Sequence, residues 1–225
     1  MMFRDSMIVL ALDTALGACS AAVLRGGDVL GTHSEPMMRG HQERLAPLVQ
    51  ETMAQVGIAF ADLDRIGVTV GPGSFTGLRV GLAFAKGLGL ALDRPCIGVG
   101  TLEALAASGS GPGLTVAAID ARRGQIYLQL FQDGVAVMAP DVLPLEIAAA
   151  RLAEVWAGGP ARLVGPGAAL LAGVLPGATL DERAAPDPVA LARLTATKPA
   201  DVPARPLYLR APDAKLPGGL DLPAP

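Results

Sequence analysis

The chain has 225 residues, 51% of them apolar and 17% charged, with a formal net charge of −3. This is the profile of a folded chain, which excludes a disordered one. Without clustered Lys and Arg it also excludes a basic, self-sufficient nucleic-acid binder. Cys19 and Cys96 stand far apart with no CxxC pair, which excludes a Cys-based zinc or redox motif and leaves two buried free thiols as the expectation. The apolar excess suggests an interface as well as a core.

The first apolar run, 8–12, is short and ends at Asp13, unlike a signal peptide. It reads as a buried strand. Residues 19–24 form a second strand, and Gly26-Gly27 turns the chain into a third that reaches His33. Residues 41–56 read as a helix: Leu45, Leu48, Val49, Thr52 and Val56 recur at helical spacing, and Gly57 ends it. Residues 65–70 are a strand, 76–92 a helix and 95–99 a strand, with another helix starting near Thr101. The apolar stretch within 80–92 is rich in Gly and holds Lys86, so no membrane span is expected and a cytoplasmic protein is.

Residues 108–113 (SGSGPG) form the clearest linker, and after them the pattern restarts. Residues 115–120 are a strand, 121–124 a turn, 125–131 a strand, and Asp133-Gly134 a hairpin turn. Asp13 and Asp120 are 107 residues apart, as are Gly17 and Gly124, so an internal duplication is expected. Later come a helix at 145–156, a strand at 161–164 running into Gly165-Pro166-Gly167-Ala168, and a short helix at 189–195. The tail is rich in Pro and Ala. Residues 206–210 are expected to dock as an extended piece, and the last dozen to be loose.

The loop Gly71-Pro72-Gly73-Ser74-Phe75-Thr76-Gly77 joins a strand to a helix, a place where backbone amides bind anions. Its spacing matches neither GxxxxGK[ST] nor GxGxxG. A tight turn made by Gly71 and Gly73, with Ser74 or Thr76 capping the helix, explains it on local chemistry. In the helix that follows, the only charges are Arg79 and Lys86, seven residues apart and hence on one side. Gly77, Gly81, Ala85 and Gly89 make a small-residue stripe, and Val80, Phe84 and Leu88 a bulky one. A helix so apolar needs cover on more than one side.

Residues 68–92 (VTVGPGSFTGLRVGLAFAKGLGLAL), with VLALDTALGACSAAV at 9–23 and CIGVGTLEALA at 96–106, resemble the TsaB (YeaZ) family. The likeness continues weakly through AIDARRGQIYLQLF at 118–131 and PLYLRAPDA at 206–214. It implies an α/β fold of the two-lobed actin/Hsp70/sugar-kinase (ribonuclease H-like) type. One lobe would be 1–107, a second 114–196, and 197–225 a partly docked tail. It further implies a non-catalytic subunit partnering TsaD, a paralogue, and TsaE, an ATPase. Together these form N6-threonylcarbamoyladenosine at position 37 of tRNAs reading codons that begin with A. In that scheme TsaD carries the metal and transfers the group from threonylcarbamoyl-adenylate, and tRNA is met only through the complex.

TsaD-like paralogues carry an HxxxH metal pair where this chain has Thr101 and Leu105, which cannot clasp an ion. The chain has two histidines, His33 and His41, expected to be solvated or capping. No metal and no cofactor are therefore expected. Asp13, Thr14, Asp120, Gly165 and Gly167 remain at positions resembling a nucleotide site, and Arg122-Arg123 would crowd it. They allow weak nucleotide binding at most. The resemblance makes the helices 41–56 and 76–92 the interface with TsaD, with Leu45, Leu48, Val49, Thr52, Val80, Phe84 and Leu88 as anchors. Without TsaD, the same face would serve a homodimer. Rival readings are an ATP-dependent transferase or kinase of the same fold, which Asp13 and the glycine loop favour, and a metallopeptidase, which lacks its ligands.

Overall fold

The computed structural model describes residues 6–210. β1 (Ile8–Asp13), β2 (Ala18–Arg25) and β3 (Asp28–Pro36) form an antiparallel meander. Gly26 and Gly27 close its second hairpin at φ of 59° and 106°, a region open to glycine. Then come α1 (His41–Val56), β4 (Arg65–Thr69), α2 (Phe75–Leu92), β5 (Cys96–Val99) and α3 (Thr101–Ala107). Gly57 ends α1 in the left-handed conformation, and Ser74 caps α2 by accepting from the Gly77 amide. β4 and β5 add in parallel beside β1, giving the order β3-β2-β1-β4-β5.

The second half repeats this plan. β6 (Leu114–Arg122) and β7 (Gln125–Gln132) pair antiparallel, and β8 (Val135–Ala136) and β9 (Asp141–Pro144) both pair with β7. α4 (Leu145–Val155), β10 (Ala161–Val164), a 3-10 turn at Ala168–Leu171, β11 (Thr179–Asp181) and α5 (Pro188–Thr197) follow. The order β11-β10-β6-β7-β8 has the same wiring as the first sheet, counted from each half's own first strand. Asp13 near the end of β1 and Asp120 near the end of β6 thus hold equivalent places.

The copies differ where the sequence signal is thin. The third strand of the second meander is split into β8 and β9, and β11 is three residues long. The helix between the two parallel strands is 18 residues long in the first half. In the second it shrinks to the four-residue turn at Ala168–Leu171.

Strand alternation divides the first sheet into two faces. Ile8, Leu10 and Leu12 join Leu45, Leu48, Val49 and Met53 of α1 and Leu82 and Ala85 of α2 in the largest core. Ala11, Ala22 and Leu24 face the other way, onto Leu191 and Ala192 of α5. Gly67 belongs to that face: a methyl there would stand 1.9 Å from Thr195 Oγ1. Small residues on three neighbouring strands let α5 lie close.

α3 makes the reciprocal exchange. Its Leu102, Leu105 and Ala106 pack on Ala117, Ile119, Phe131 and Val164 of the second half. The stretch 114–196 therefore sends its last helix to the first sheet, and 1–107 sends α3 to the second. Each fully buried Leu contributes about 1.5–3 kcal/mol, so the exchange ties the halves firmly.

The tail lies against the body as far as it is described. Pro203 bridges to Ile97, the Leu207 amide donates to Val70 O at 2.8 Å, and Arg210 Nη1 donates to Ala121 O at 2.8 Å. Tyr208 stacks near Phe75, with ring centroids 5.8 Å apart. The last dozen residues lie outside the described ones.

Candidate functional site

The seven anchors expected at an interface fall into two groups. Leu45, Leu48, Val49 and Thr52 are at most 1% exposed and face the chain's own sheet. These four are core, because the apolar stripe of α1 is consumed by β2 and β3, and Thr52 Oγ1 is spent on Leu48 O at 2.7 Å. Val80, Phe84 and Leu88 are half-buried, touching that core with one side.

On α2 the stripe Gly77, Gly81, Ala85, Gly89 is buried against the sheet. Methyls at Gly77 and Gly81 would stand 2.0 Å from Thr14 O and 2.5 Å from Thr14 Oγ1. The opposite arc is exposed: Phe75 (47%), Ala83, Gly87, Leu90 (87%) and Ala91, with Thr76, Arg79 and Lys86 as its polar members. Ala83, Gly87 and Ala91 recur at i, i+4, so a second small-residue stripe faces outward, and a methyl at Gly87 would meet nothing within 4 Å. Counting small residues at i, i+4 along the other side of the helix finds these three in the sequence as well. Val80, Phe84, Phe75 and Arg79 also line a groove against Gln42, Leu45 and Ala46 of α1. The Arg79 guanidinium sits 3.7 Å from the Phe75 ring centroid, a cation–π contact. By length and composition alone α2 could cross a membrane, yet its small-residue side is built into the fold.

The glycine loop is a strand-to-helix turn docked on the β1–β2 turn. The Ser74 amide donates to Ala15 O at 2.7 Å and Thr14 Oγ1 to Gly77 O at 2.8 Å. Gly71 has φ of 114°, and methyls at Gly71 and Gly73 would meet Leu207 O at 2.8 Å and Ala15 O at 2.4 Å. Close backbone approach explains all three glycines, Gly71, Gly73 and Gly77.

The residues resembling a nucleotide site are largely filled by the chain itself. Asp13 and Thr14 are at most 1% exposed. Asp13 Oδ1 accepts from Thr69 Oγ1 at 2.5 Å and from the Ala15 amide at 3.0 Å, while Oδ2 has no partner among the described residues. Burial pushes this carboxyl above its ordinary range, against the pull of those hydrogen bonds. Gly165 and Gly167 pack on β6: methyls there would stand 2.5 Å from Ala118 O and 2.7 Å from the Asp120 amide. Asp120 is half-buried and accepts from the Arg122 amide at 2.7 Å and from Arg122 Nη1 at 3.0 Å.

Thr101 and Leu105 are both fully buried. His33, on β3, lies with Glu35 and Glu51 at a spacing that would suit a cation. Arg44 is already there, donating through Nε and Nη2 to Glu35 and through Nη1 and Nη2 to Glu51 at 2.6–2.8 Å. Those bonds hold both carboxyls below their ordinary range. His41 is neither solvated nor a cap: it is 7% exposed, opens α1, and its Nε2 lacks a partner among the described residues. Cys19 is buried and Cys96 half-buried, and burial pushes each thiol up to about 11.

Comparison with known proteins follows the same lines. The family model described as TsaD, tRNA N6-adenosine threonylcarbamoyltransferase, matches residues 28–149. An uncharacterised protein of Mycobacterium tuberculosis is 40% identical over 225 residues, covering 92% of this chain and 93% of its own length. The tRNA threonylcarbamoyladenosine biosynthesis protein TsaB of Escherichia coli is 40% identical over 129 residues, 56% of this chain and 55% of that one. The solved structure of YeaZ from Pseudomonas aeruginosa superposes with a TM-score of 0.77 at 32% identity, covering 90% of this chain and all of that one. The duplicated wiring, the glycine loop docked on the β1–β2 turn, and an identity of 32% across the whole YeaZ chain agree, and the chain belongs to the YeaZ (TsaB) family.

Proposed function

We propose that this chain is a non-catalytic partner subunit in the formation of N6-threonylcarbamoyladenosine on tRNA, docking a TsaD-related enzyme through the outer face of α2. The observation that carries the reading is the exposed apolar arc of Phe75, Ala83, Gly87, Leu90 and Ala91. The outward stripe Ala83, Gly87, Ala91 suits close approach by a second helix, and the half-buried Val80, Phe84 and Leu88 supply flanking contact area. A TsaD-related occupant is favoured because the TsaD family model matches half of this chain. A paralogue built on the same plan would bring a similar helix pair, completing a four-helix contact of roughly 1,200–2,000 Å². Without that partner, a second copy of this chain would take the same face.

The non-catalytic reading rests on chemistry. The positions matching the HxxxH pair hold Thr101 and Leu105, and Asp13 is sealed beneath its own loop. With a net charge of −3, the chain leaves most phosphate contacts to its partners. The substrate in this reading is adenosine 37 of tRNAs that read codons beginning with A, with TsaE joining the assembly and the work done in the cytoplasm.

Reconstitution tests it. Purified chain alone should leave tRNA unmodified, and adding the TsaD-related and TsaE-related proteins of the same source should start modification that stops when this chain is withheld. Modification by the isolated chain would overturn the proposal. In light scattering, wild-type chain alone should run as a dimer and Leu90→Asp as a monomer.

A further inference from the structure

A cavity of about 490 Å³ lies where α3, α5 and the 108–113 linker meet the second sheet, a size suited to a small molecule. It sits at the starts of β6 and β10, the opposite end of the sheet from Asp120 and the residues resembling a nucleotide site. Strand registers set its floor. Arg162 pairs with Thr115 across β10 and β6, and Thr115 with Phe131 across β6 and β7. These three make a row on one face, with neighbouring strands about 4.8 Å apart. Gln129 stands two residues along β7 on the same side.

The rest of that face is apolar: Ala117, Ile119 and Val164 pack against Leu102 and Leu105 of α3. Thr115 and Gln129 depart from it, though they are only 7% and 9% exposed. Neither side chain has a hydrogen-bond partner among the described residues. Nor is Thr115 Oγ1 or the Gln129 amide sealed from solvent as His41 Nε2 is. Polar side chains so deep are bonded as a rule, so here two sets of donors and acceptors stand open to the cavity.

Opposite charges flank them. On the β10 side, Arg162 Nη2 donates to Ala106 O at 2.6 Å and to Gly109 O at 3.3 Å, and Nη1 is sealed. No carboxylate of the described residues pairs with this guanidinium. Burial disfavours its charge, which an anion alongside would support. Just past the end of β7, exposed Asp133 accepts from the Gly113 amide at 2.8 Å and from Gln132 Nε2 at 3.0 Å. Those bonds hold its carboxyl below the ordinary range. Glu103, the other acid of the lining, is taken by Lys198 at 2.9 Å.

We propose that this cavity binds a small zwitterion of the amino-acid class, its carboxylate accepting from Thr115 Oγ1 and Gln129 Nε2 on the Arg162 side and its ammonium group facing Asp133. Arg162 acts by its charge, since Nη2 is spent on carbonyls and Nη1 is sealed. No residue of α2 lines the cavity, so the site does not depend on the docking reading.

Calorimetric titration of the full chain tests this, with L-alanine, L-leucine and 4-aminobutanoate as zwitterions and propanoate and propylamine as probes of one charge each. At least one zwitterion should bind saturably, and both single-charge probes should bind roughly tenfold more weakly or worse. Tighter binding of alanine or leucine marks an α-amino acid, and tighter binding of 4-aminobutanoate an extended one; either supports the site. Gln129→Leu matches the apolar face around it and should weaken the best zwitterion roughly tenfold. Asp133→Asn keeps an oxygen for the Gly113 amide and should weaken it too. No saturable binding of any zwitterion would overturn the proposal, as would a single-charge probe binding as tightly as the best zwitterion. So would unchanged affinity in folded Gln129→Leu protein, or in Asp133→Asn, which decides the matter even where Gln129→Leu does not fold.

Discussion

Asp13 is a buried carboxyl with one oxygen satisfied and one without a partner among the described residues. Its folded-state pKa lies above the unfolded value, so in the window between the two the native chain holds more protons than the unfolded one. Stability then falls as pH rises through that window. Asp13→Asn removes the titration. In urea unfolding at a series of pH values, Asp13→Asn should exceed wild type near neutrality, and the gap should close as pH falls below the ordinary carboxylate range. A gap independent of pH would contradict the assignment. Gly77 is as constrained, because a methyl would press on Thr14 O. Gly77→Ala should cost about 1–3 kcal/mol by overpacking, read as a lowered urea midpoint at unchanged slope. At this scale the sequence carried the turn glycines and a helix cap at Ser74 or Thr76, since both follow from local chemistry, and the structure gives the cap to Ser74. It did not carry the burial of His41 or the packing of Gly165 and Gly167 on β6, which depend on chain segments far away in sequence.

α2 is the element on which the functional reading rests, and its two small-residue stripes do opposite things. The inner one admits the β1–β2 turn, and the outer one leaves room for a partner. Gly87→Leu separates them. A Cβ there meets nothing of its own chain within 4 Å, and the change replaces a poor helix former with a good one, so the helix should gain about 0.5–1 kcal/mol. Thermal unfolding should show Gly87→Leu at or above the wild-type midpoint while partner binding is lost. Periodicity located α1 and α2 closely, because long helices repeat their pattern. It could not tell which side of α1 faces in, since one stripe of Leu45, Leu48, Val49 and Thr52 serves core and interface equally well on paper. Burial decides it: those four cover β2 and β3. The short β8, β9 and β11 left almost no pattern to read.

Across the whole molecule, two copies of one plan have diverged unequally. The duplication was legible because turns need Asp and Gly at fixed places, which preserved the spacing from Asp13 to Asp120 and from Gly17 to Gly124. The exchange of α3 and α5 between the sheets was not, because an amphipathic helix does not name the sheet it covers. The second half has reduced its crossover helix to the Ala168–Leu171 turn, so among the described residues only the first half presents a long, largely apolar crossover helix to the outside. This helix is then the expected working surface. The most direct measurement is co-elution of the purified chain with the TsaD-related protein of its own source, comparing wild type with Gly87→Leu. A stable complex for wild type and none for equally folded Gly87→Leu is the predicted result; equal co-elution of both, or none with either, would contradict it.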